Sequence, residues 1–500
     1  MYSIKGNFQN NYLLFQEKAV PLGSNFKSID MTLDLDALNN AITSINDALW
    51  TYLLIGALIL CGFYFTIRTR FVQFTMIGDM FRQLVDSSFK SGKKHISSFQ
   101  AFAVSMATRV GTGNLAGVAT AIAVGGSGSI FWMWLIALFG SATAFVEATL
   151  AQLFKRPSSE SFIGGPAYYI KHGLHNKWMA GLFAVLITLT FGLSYNSIQS
   201  NAICGALNKA FGFDPLVVGC MITAIALFIA FGGIHRIARV SSVLVPIMAF
   251  GYFILALVVV IMNINMIPHV LRLIVENAFG FEQVAGGGLG MTIMVGIKRG
   301  LFSNEAGEGS APNVAATADV THPVKQGLIQ ALGVFTDTLL VCSCTAFMVL
   351  VSGLYTTNGL EGIQLTQASL ESQVGSWGTI FVAIALFLFA FSSIIGNYYY
   401  GEANIRFLTD KKWVLTVFRI LSGGAFVFLG AVASFEFVWN LGDLFMALVT
   451  LCNLIALVFL CKYVFKLLNN YRDQKRRGIK NPVFHRSDLP EIADDLEAWE

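Results

Sequence analysis

Apolar residues are arranged along this chain in long stretches separated by short polar loops. A helix needs about 20 apolar residues to cross the hydrocarbon core of a bilayer, and by this criterion the sequence predicts eleven membrane-spanning helices. They cover residues 48–67, 98–125, 129–154, 178–207, 215–233, 240–263, 286–318, 326–353, 377–403, 413–432 and 438–465. We number them as the first to the eleventh span, and the pattern predicts an all-α polytopic membrane protein.

Two of these spans carry glycine near their midpoints. In the second span Gly111 and Gly113 flank Thr112, and in the seventh span the segment GIKRGLFSNEAGEGSAP (296–312) contains four glycines and a proline. Glycine weakens a helix and proline removes a backbone donor, so we expect both helices to be interrupted. At membrane depth, free backbone groups are tolerated only where protein surrounds them or where they line a cavity. Each interruption is therefore a candidate binding site.

The positions of the two interrupted spans indicate an internal repeat. The second to sixth spans occupy 98–263 and the seventh to eleventh occupy 286–465, and an interrupted span opens each group of five. An odd number of spans per group gives the two groups opposite orientations in the membrane. Paired interrupted helices in inverted repeats indicate a secondary transporter with its substrate site near the bilayer midplane. The first span, 47–67, lies outside this ten-helix core.

Charged residues make up 12% of the chain, and their distribution predicts its orientation. Lysine and arginine concentrate after the first, third, fifth and ninth spans and in the tail 466–500, whereas the alternate loops contain few. Cytoplasmic loops carry such an excess, so we predict an extracytoplasmic N-terminal segment, 1–46, and a cytoplasmic tail. Amphipathic stretches at 71–90 and 265–283 are expected at the membrane surface, and GGPAYY (164–169) predicts a turn leading into a short helix.

The polar residues that precede the first span do not form a basic stretch followed by an apolar run, so they do not resemble a signal peptide. Met31 would also serve as a start, because the amphipathic stretch after it runs directly into the first span. We expect residues 1–30 to be dispensable.

Several segments resemble the alanine/glycine:cation symporter family of prokaryotes, also called the sodium:alanine symporter family. They are GTGNLAGVATAIAVGGSGSIFWMWLIALFGSATAFVEATLAQLFK (111–155), GGPAYYI (164–170), KRGLFSNEAGEGSAP (298–312), HPVKQG (322–327) and NYYYGE (397–402). The resemblance covers roughly residues 45 to 485. It implies the leucine-transporter fold, with a 5+5 inverted repeat plus one extra N-terminal helix. It also implies sodium-coupled import of small neutral amino acids through a prokaryotic cytoplasmic (inner) membrane by alternating access.

A zwitterionic amino acid needs hydrogen-bond donors for its carboxylate and acceptors for its ammonium group. The N-termini of half-helices supply donors, and their C-termini and unwound carbonyls supply acceptors. We assign the backbone N–H groups of Thr112 and Gly113 to the carboxylate, with the side chains of Thr112 and Asn114 nearby. For the ammonium group we expect unwound carbonyls around Gly300, Phe302 and Ser303. Close helix packing is the competing explanation for the glycines.

The resemblance assigns further positions. Gln199 in the fourth span resembles the family's substrate-contacting glutamine, although an amide there could also hydrogen-bond only to another helix. Ser392 and Ser393 match a serine/threonine pair that the leucine-transporter fold uses for sodium, while the competing explanation is that they bond back to their own helix. By the same resemblance, three backbone carbonyls complete the sodium site, those of Ala107, Val110 and Phe389.

The side-chain pocket departs from the pattern of the alanine/glycine transporters. Where that pattern has bulky aromatic residues, this chain has Asn397, and also Asn196 three residues before Gln199. Asparagine enlarges the pocket and adds hydrogen-bonding groups, and a site that hydrogen-bonds its substrate rejects analogues that lack the matching group. The sequence therefore suggests glutamine, or another polar neutral amino acid, as a further substrate.

Ionisable residues inside membrane spans are functional-site candidates. They include Arg109, Glu147, Lys298, Arg299, Glu305, Glu308, Asp337 and Glu402. We favour structural ion pairs and contacts that open and close during transport as their role. A proton-coupled symporter, the main alternative function, would use Glu147 or Asp337.

Two other classes of protein are less consistent with the sequence. An enzyme could be inferred from Gly111–Gly117, but the spacing misses the dinucleotide-binding fingerprint and no βαβ unit surrounds it. A channel would allow passive flux, whereas a symporter accumulates its substrate. We expect the amino acid, sodium and membrane lipid as partners, with no nucleic acid and no obligate protein partner.

Overall fold

The structure of the protein is a computed structural model that describes residues 35–88, 96–158, 161–231, 233–280, 288–356 and 359–500. Residues 1–41 and 42–500 form two compact units. In the first unit the structure describes only the beginning of the helix Leu35–Leu49. Most of the predicted segment 1–46, and the ends of the predicted surface stretches 71–90 and 265–283, lie outside the described residues.

Nearly all of the described chain is helical. Within it, eight helices are long and apolar enough to cross a membrane. They are Ala37–Arg68, Ser129–Leu153, Lys177–Phe211, Ile237–Met262, Pro323–Ser352, Trp377–Leu408, Lys412–Val432 and Phe435–Arg476. The other three predicted spans correspond to the short helix Pro215–Ala230 and to two interrupted helices. The prediction of an all-α polytopic membrane protein is confirmed, whereas the division into two inverted groups of five remains a prediction.

The second span is interrupted where its glycines predict. Its first half-helix, Ser98–Arg109, begins at a capping box in which Ser97 and Gln100 satisfy each other's backbone N–H groups. At Val110 the backbone leaves the helix, with ψ at 88°, and the helix resumes as Gly113–Gly125. Two half-helices joined by an extended link are the result.

The seventh span is interrupted within the predicted segment 296–312, but after the residues predicted to be unwound. Its first half-helix runs as Gly288–Asn304, and a short helix, Ala311–Ala315, follows the break. The prediction of unwound backbone at Gly300, Phe302 and Ser303 is therefore wrong. Gly300 lies instead at a helix contact, because a Cβ atom there would come 2.7 Å from Ile136 Cγ2 of the third span.

Shorter elements connect the spans. The predicted surface stretches form helices, and GGPAYY does lead into a short helix that begins at a proline. The bounds of these helices are Val72–Thr75, Ile77–Ser88, Ile264–Met266, Ile267–Ala278, Pro166–Gly173, Leu354–Thr356 and Gly362–Val374. Strands Arg156–Pro157 and Phe162–Ile163 pair antiparallel. The third span packs against the seventh and eighth, and the fourth packs against the ninth and tenth.

The end of the chain folds back onto the helices. The side chains of Phe484, Leu489, Ile492, Leu496 and Trp499 are buried. Trp499 Nε1 lies within 3.2 Å of the carbonyl oxygens of Gln152 and Leu153, where the third span ends. The Lys155 ammonium lies 4.6 Å from the centroid of the Trp499 ring, and burial lowers the pKa of Lys155 to about 7.

We expect Trp499→Ala to lower the free energy of unfolding by about 3–5 kcal/mol, because it removes a buried indole and its hydrogen bonds. The measurement is thermal unfolding of the purified protein in detergent. Trp178→Ala is the matched control, since Trp178 is 75% exposed. Equal unfolding temperatures for the two variants would contradict the packing of the tail.

Candidate functional site

The two interruptions lie against each other. A Cβ atom on Gly113 would come 3.1 Å from the Ser303 Cα atom and 3.1 Å from Phe302 Cδ1. The second half-helix of the second span therefore begins beside the last turn of the helix Gly288–Asn304. This arrangement brings a helix N-terminus, which attracts anions, close to a helix C-terminus, which attracts cations.

Gln199 of the fourth span reaches the start of that second half-helix. Its Oε1 atom accepts hydrogen bonds from the Thr112 backbone N–H at 3.1 Å and from Thr112 Oγ1 at 2.6 Å. Gly111 makes this approach possible, because a Cβ atom there would overlap Ser393 Oγ and crowd the Gln199 amide. The Gln199 oxygen therefore already accepts a hydrogen bond from the Thr112 N–H group, which we assign to the substrate carboxylate.

Asp337 of the eighth span joins the two interrupted helices. Its carboxylate accepts hydrogen bonds from Asn114 Nδ2 at 2.6 Å and from Ser303 Oγ at 2.8 Å, with Thr338 Oγ1 as a third donor at 2.9 Å. Sequence reasoning counted Asp337 among the intramembrane charges and did not place it between Asn114 and Ser303. The available signal was a single carboxylate in the apolar eighth span.

The C-terminal end of the helix Gly288–Asn304 brings its last backbone carbonyls to this region. Glu305 N–H bonds to the Leu301 carbonyl, and the helix ends at Asn304. Phe302 and Ser303 therefore lack the donor that a continuing helix would supply four residues further on. The Phe302 ring packs against Tyr195 and Trp439, each 4.8 Å away between ring centroids. That these carbonyls bind an ammonium group remains a prediction.

Four of the five predicted sodium ligands lie close together. Ser393 Oγ lies 2.8 Å from the Ala107 carbonyl and 3.0 Å from the Phe389 carbonyl. Ser392 Oγ lies 3.3 Å and 2.8 Å from the same two oxygens. The contacts to Phe389 are bonds within one helix, but those to Ala107 cross to the second span. The fifth, Val110, is buried and directly follows the last residue of that half-helix, Arg109.

The two asparagines of the predicted side-chain pocket differ in their surroundings. Asn196 donates to the Gly192 carbonyl and to Ser422 of the tenth span, as a residue that links helices does. In the part of the chain that the structure describes, neither amide atom of Asn397 has a hydrogen-bond partner, although the residue is 1% exposed. Asn397 lies one helical turn after Ser393 and is the stronger candidate for contact with a polar substrate.

Glu147 of the third span stabilises the unwound backbone in the seventh span. Its two carboxylate oxygens accept hydrogen bonds from the backbone N–H groups of Gly307 and Gly309, at 3.3 and 3.2 Å. Asn453 Nδ2 donates to the same carboxylate at 3.0 Å. Both glycines have positive φ, at 99° and 76°, which other residues adopt with strain. The backbone N–H groups that the break leaves free thus donate to a buried carboxylate.

The remaining intramembrane charges fall into two groups. Glu402 pairs with Arg406 and Arg419, and Asp443 pairs with Lys298 and Arg299, as structural ion pairs require. The second group surrounds the break in the seventh span and contains Arg109, Glu147, Glu305 and Glu308. Arg109 donates hydrogen bonds to Gln330, and its Nε and Nη2 atoms have no partner among the residues described.

Glu305 connects the half-helices around the break. Its Oε2 atom accepts hydrogen bonds from Ser310 Oγ at 2.6 Å and from Thr108 Oγ1 at 3.2 Å. The Thr108 hydroxyl also lies 3.1 Å from Tyr400 Oη of the ninth span. Movement of the first half-helix of the second span would therefore change the contacts of Glu305.

Comparison with known proteins shows the family of this chain. The model of the sodium:alanine symporter family matches residues 35–486. The probable sodium/glutamine symporter GlnT of Bacillus subtilis is 52% identical, over 92% of this chain and 96% of its own length. The sodium/alanine symporter AgcS of Methanococcus maripaludis is 35% identical, over 88% of this chain and 98% of its own.

A solved structure shows the fold. The crystal structure of MhsT in complex with L-phenylalanine covers 81% of this chain and 93% of its own, with a TM-score of 0.55 and 16% identity. MhsT has the leucine-transporter fold, and the expectation of that fold is confirmed. At this level of identity the likeness concerns the fold alone.

Proposed function

This chain belongs to the sodium:alanine symporter family and is a cation-coupled amino-acid symporter of a membrane, not an enzyme, and we propose that it imports small neutral amino acids together with sodium. One observation carries the proposal: two interrupted helices meet end to side at Gly113 and Ser303, with an acceptor oxygen on the Thr112 N–H group. We assign the protein to a prokaryotic inner membrane, with its N-terminus outside and its C-terminus in the cytoplasm.

Within this proposal, the substrate carboxylate replaces the Gln199 oxygen at Thr112 and Gly113. The ammonium group binds the carbonyls at the end of Gly288–Asn304. Sodium binds the oxygens of Ser392, Ser393 and the carbonyls of Ala107, Val110 and Phe389. Sodium must bind more tightly to the conformation that binds the substrate than to the alternative conformation, because two ligands are coupled only when their affinities differ between conformations.

We expect Gln199→Leu to strengthen sodium-dependent binding of labelled alanine roughly ten- to hundred-fold, because the substrate carboxylate no longer has to displace the Gln199 oxygen. Without that oxygen the buried Thr112 donors are unpaired in the empty site, which costs about 1–3 kcal/mol that the carboxylate recovers on binding. Binding to purified protein is the measurement. Gln73→Leu is the matched control, since Gln73 is a buried glutamine that bonds Thr66 instead. Equal alanine affinity in the two variants would exclude Gln199 from the site.

Glutamine is the further substrate that Asn397 supports, and GlnT is described as a probable sodium/glutamine symporter. We expect excess glutamine to inhibit alanine uptake, and Asn397→Leu to weaken that inhibition by roughly tenfold through loss of one or two amide hydrogen bonds. Competition in proteoliposomes measures this. Asn201→Leu is the control, because Asn201 Nδ2 bonds backbone carbonyls of Gly430 and Ala433. No inhibition by glutamine in the unmodified protein would contradict the enlarged pocket.

Proton coupling is the second candidate. One relative, from Bacillus sp. strain PS3, is described as a sodium/proton-dependent alanine carrier protein and is 38% identical over 80% of this chain. The observation in this chain that favours it is the number of buried carboxylates around one guanidinium group, Arg109. Uptake driven by a pH gradient without sodium distinguishes the two coupling ions.

A further inference from the structure

The break in the seventh span carries a cluster of buried acids. Glu147, Glu305 and Glu308 are each at most 1% exposed, and among the described residues with the largest electrostatic effects on Glu308, Arg109 is the cation. Burying an ionised carboxylate costs free energy unless it is paired or receives several hydrogen bonds. At least one of these acids therefore needs another means of neutralisation.

The hydrogen bonds identify which acid this is. Glu147 receives three donors, from Gly307, Gly309 and Asn453, and Asp337 nearby also receives three. Such donors stabilise the ionised form of a carboxyl group. The two residues that sequence reasoning proposed as proton carriers are thus the two best satisfied as carboxylates.

Glu308 is the exception. Among the described residues, its Oε2 atom receives one hydrogen bond, from the Tyr195 hydroxyl at 3.3 Å, and its Oε1 atom has no partner although Glu308 is fully buried. Tyr195 of the fourth span contacts it, and Glu147 of the third span, Arg109 of the second and Glu305 of its own segment act on it electrostatically. Arg109 is buried beside this cluster with its Nε and Nη2 donors unpaired.

We propose that Glu308 is a proton-binding site, that it is protonated in the conformation described here, and that it exchanges this proton with water during transport. Protonation removes one negative charge from the cluster and requires no donor for Oε1. When the break opens to solution, the proton leaves to water and the Glu308 carboxylate becomes free to pair with the unpaired donors of Arg109. The role in transport rests on the proposed function, whereas the protonated state does not.

The test of the protonated state is infrared spectroscopy of the purified protein near neutral pH. We expect a carbonyl stretching band of a protonated carboxyl group that disappears in Glu308→Gln and persists in Glu147→Gln, the control with an equally buried acid. Tyr195→Phe shifts the band, because it removes the one donor to Glu308, and this variant replaces Glu308→Gln should that protein not fold. Absence of the band in the unmodified protein, or its persistence unchanged in Glu308→Gln, overturns the proposal.

The transport role is tested in parallel by sodium-driven alanine uptake as a function of pH. We expect the unmodified protein to show a pH-dependent rate and Glu308→Gln to show a flat profile, and equal profiles overturn the exchange of the proton. If the infrared band is present but sodium drives no uptake at any pH, the proposed function fails while the proton site stands.

Discussion

Replacing Asp337 with asparagine is expected to reduce sodium-driven alanine uptake by about a hundredfold or more. The Asp337 carboxylate receives hydrogen bonds from Asn114 on the second span and from Ser303 on the seventh. Asparagine has one acceptor oxygen and turns an NH₂ group toward one of these donors. Hydrogen bonds to charged groups contribute about 1.5–3 kcal/mol each, so losing one of these bonds, together with the charge that strengthens the other, lowers affinity by about a hundredfold.

Uptake in proteoliposomes, normalised to the amount of inserted protein, measures this effect. Glu371→Gln is the control for loss of a carboxylate, because Glu371 is exposed and hydrogen-bonds to Thr379 within 2.8 Å. We expect that variant to keep its uptake. If Asp337→Asn retained it as well, contact between the two interrupted helices would not need this acid.

The paired substitution of Ser392 and Ser393 with alanine is expected to raise the half-saturating sodium concentration about a hundredfold. Each hydroxyl is proposed as a sodium ligand, and each already lies within 3.3 Å of the Ala107 carbonyl across the helix interface. Loss of one such interaction costs about 1.4 kcal/mol, which weakens sodium binding about tenfold, so loss of both weakens it about a hundredfold.

The sodium dependence of alanine uptake provides the measurement for this pair. Ser141→Ala is the control, because Ser141 is equally buried and donates to the Ala331 carbonyl away from the predicted ligands. An unchanged sodium requirement in the Ser392/Ser393 variant would mean that these serines link the Phe389 and Ala107 carbonyls of two helices and do not bind sodium.

The sequence was sufficient to predict the spans and the break at Val110 and Gly111, because both depend on local properties: hydrophobic length and the weak helix propensity of glycine. It was insufficient for the register of the seventh span. There the glycines at 300, 307 and 309 are equivalent in propensity, and tertiary contacts decide between them. Ile136 packs on the first, whereas the Glu147 carboxylate binds the N–H groups of the other two.

The hydrogen-bond partners of polar residues could not be predicted from the sequence either. Asn196 and Asn397 look alike in sequence, but Ser422 satisfies one and the described structure offers the other no hydrogen bond. Asp337 was recognised as an intramembrane charge, yet its link between Asn114 and Ser303 depends on how three spans pack. Residues on distant segments meet only through the fold, which the sequence pattern indicates in outline alone.

The most direct test of the account is accumulation of labelled alanine in proteoliposomes under an imposed inward sodium gradient, with potassium replacing sodium in the control. We predict that the internal concentration of alanine rises above the external concentration with sodium and does not with potassium. Entry that stops at equal concentrations, or that proceeds equally with potassium, would contradict a sodium-coupled site at the meeting of the two interrupted helices.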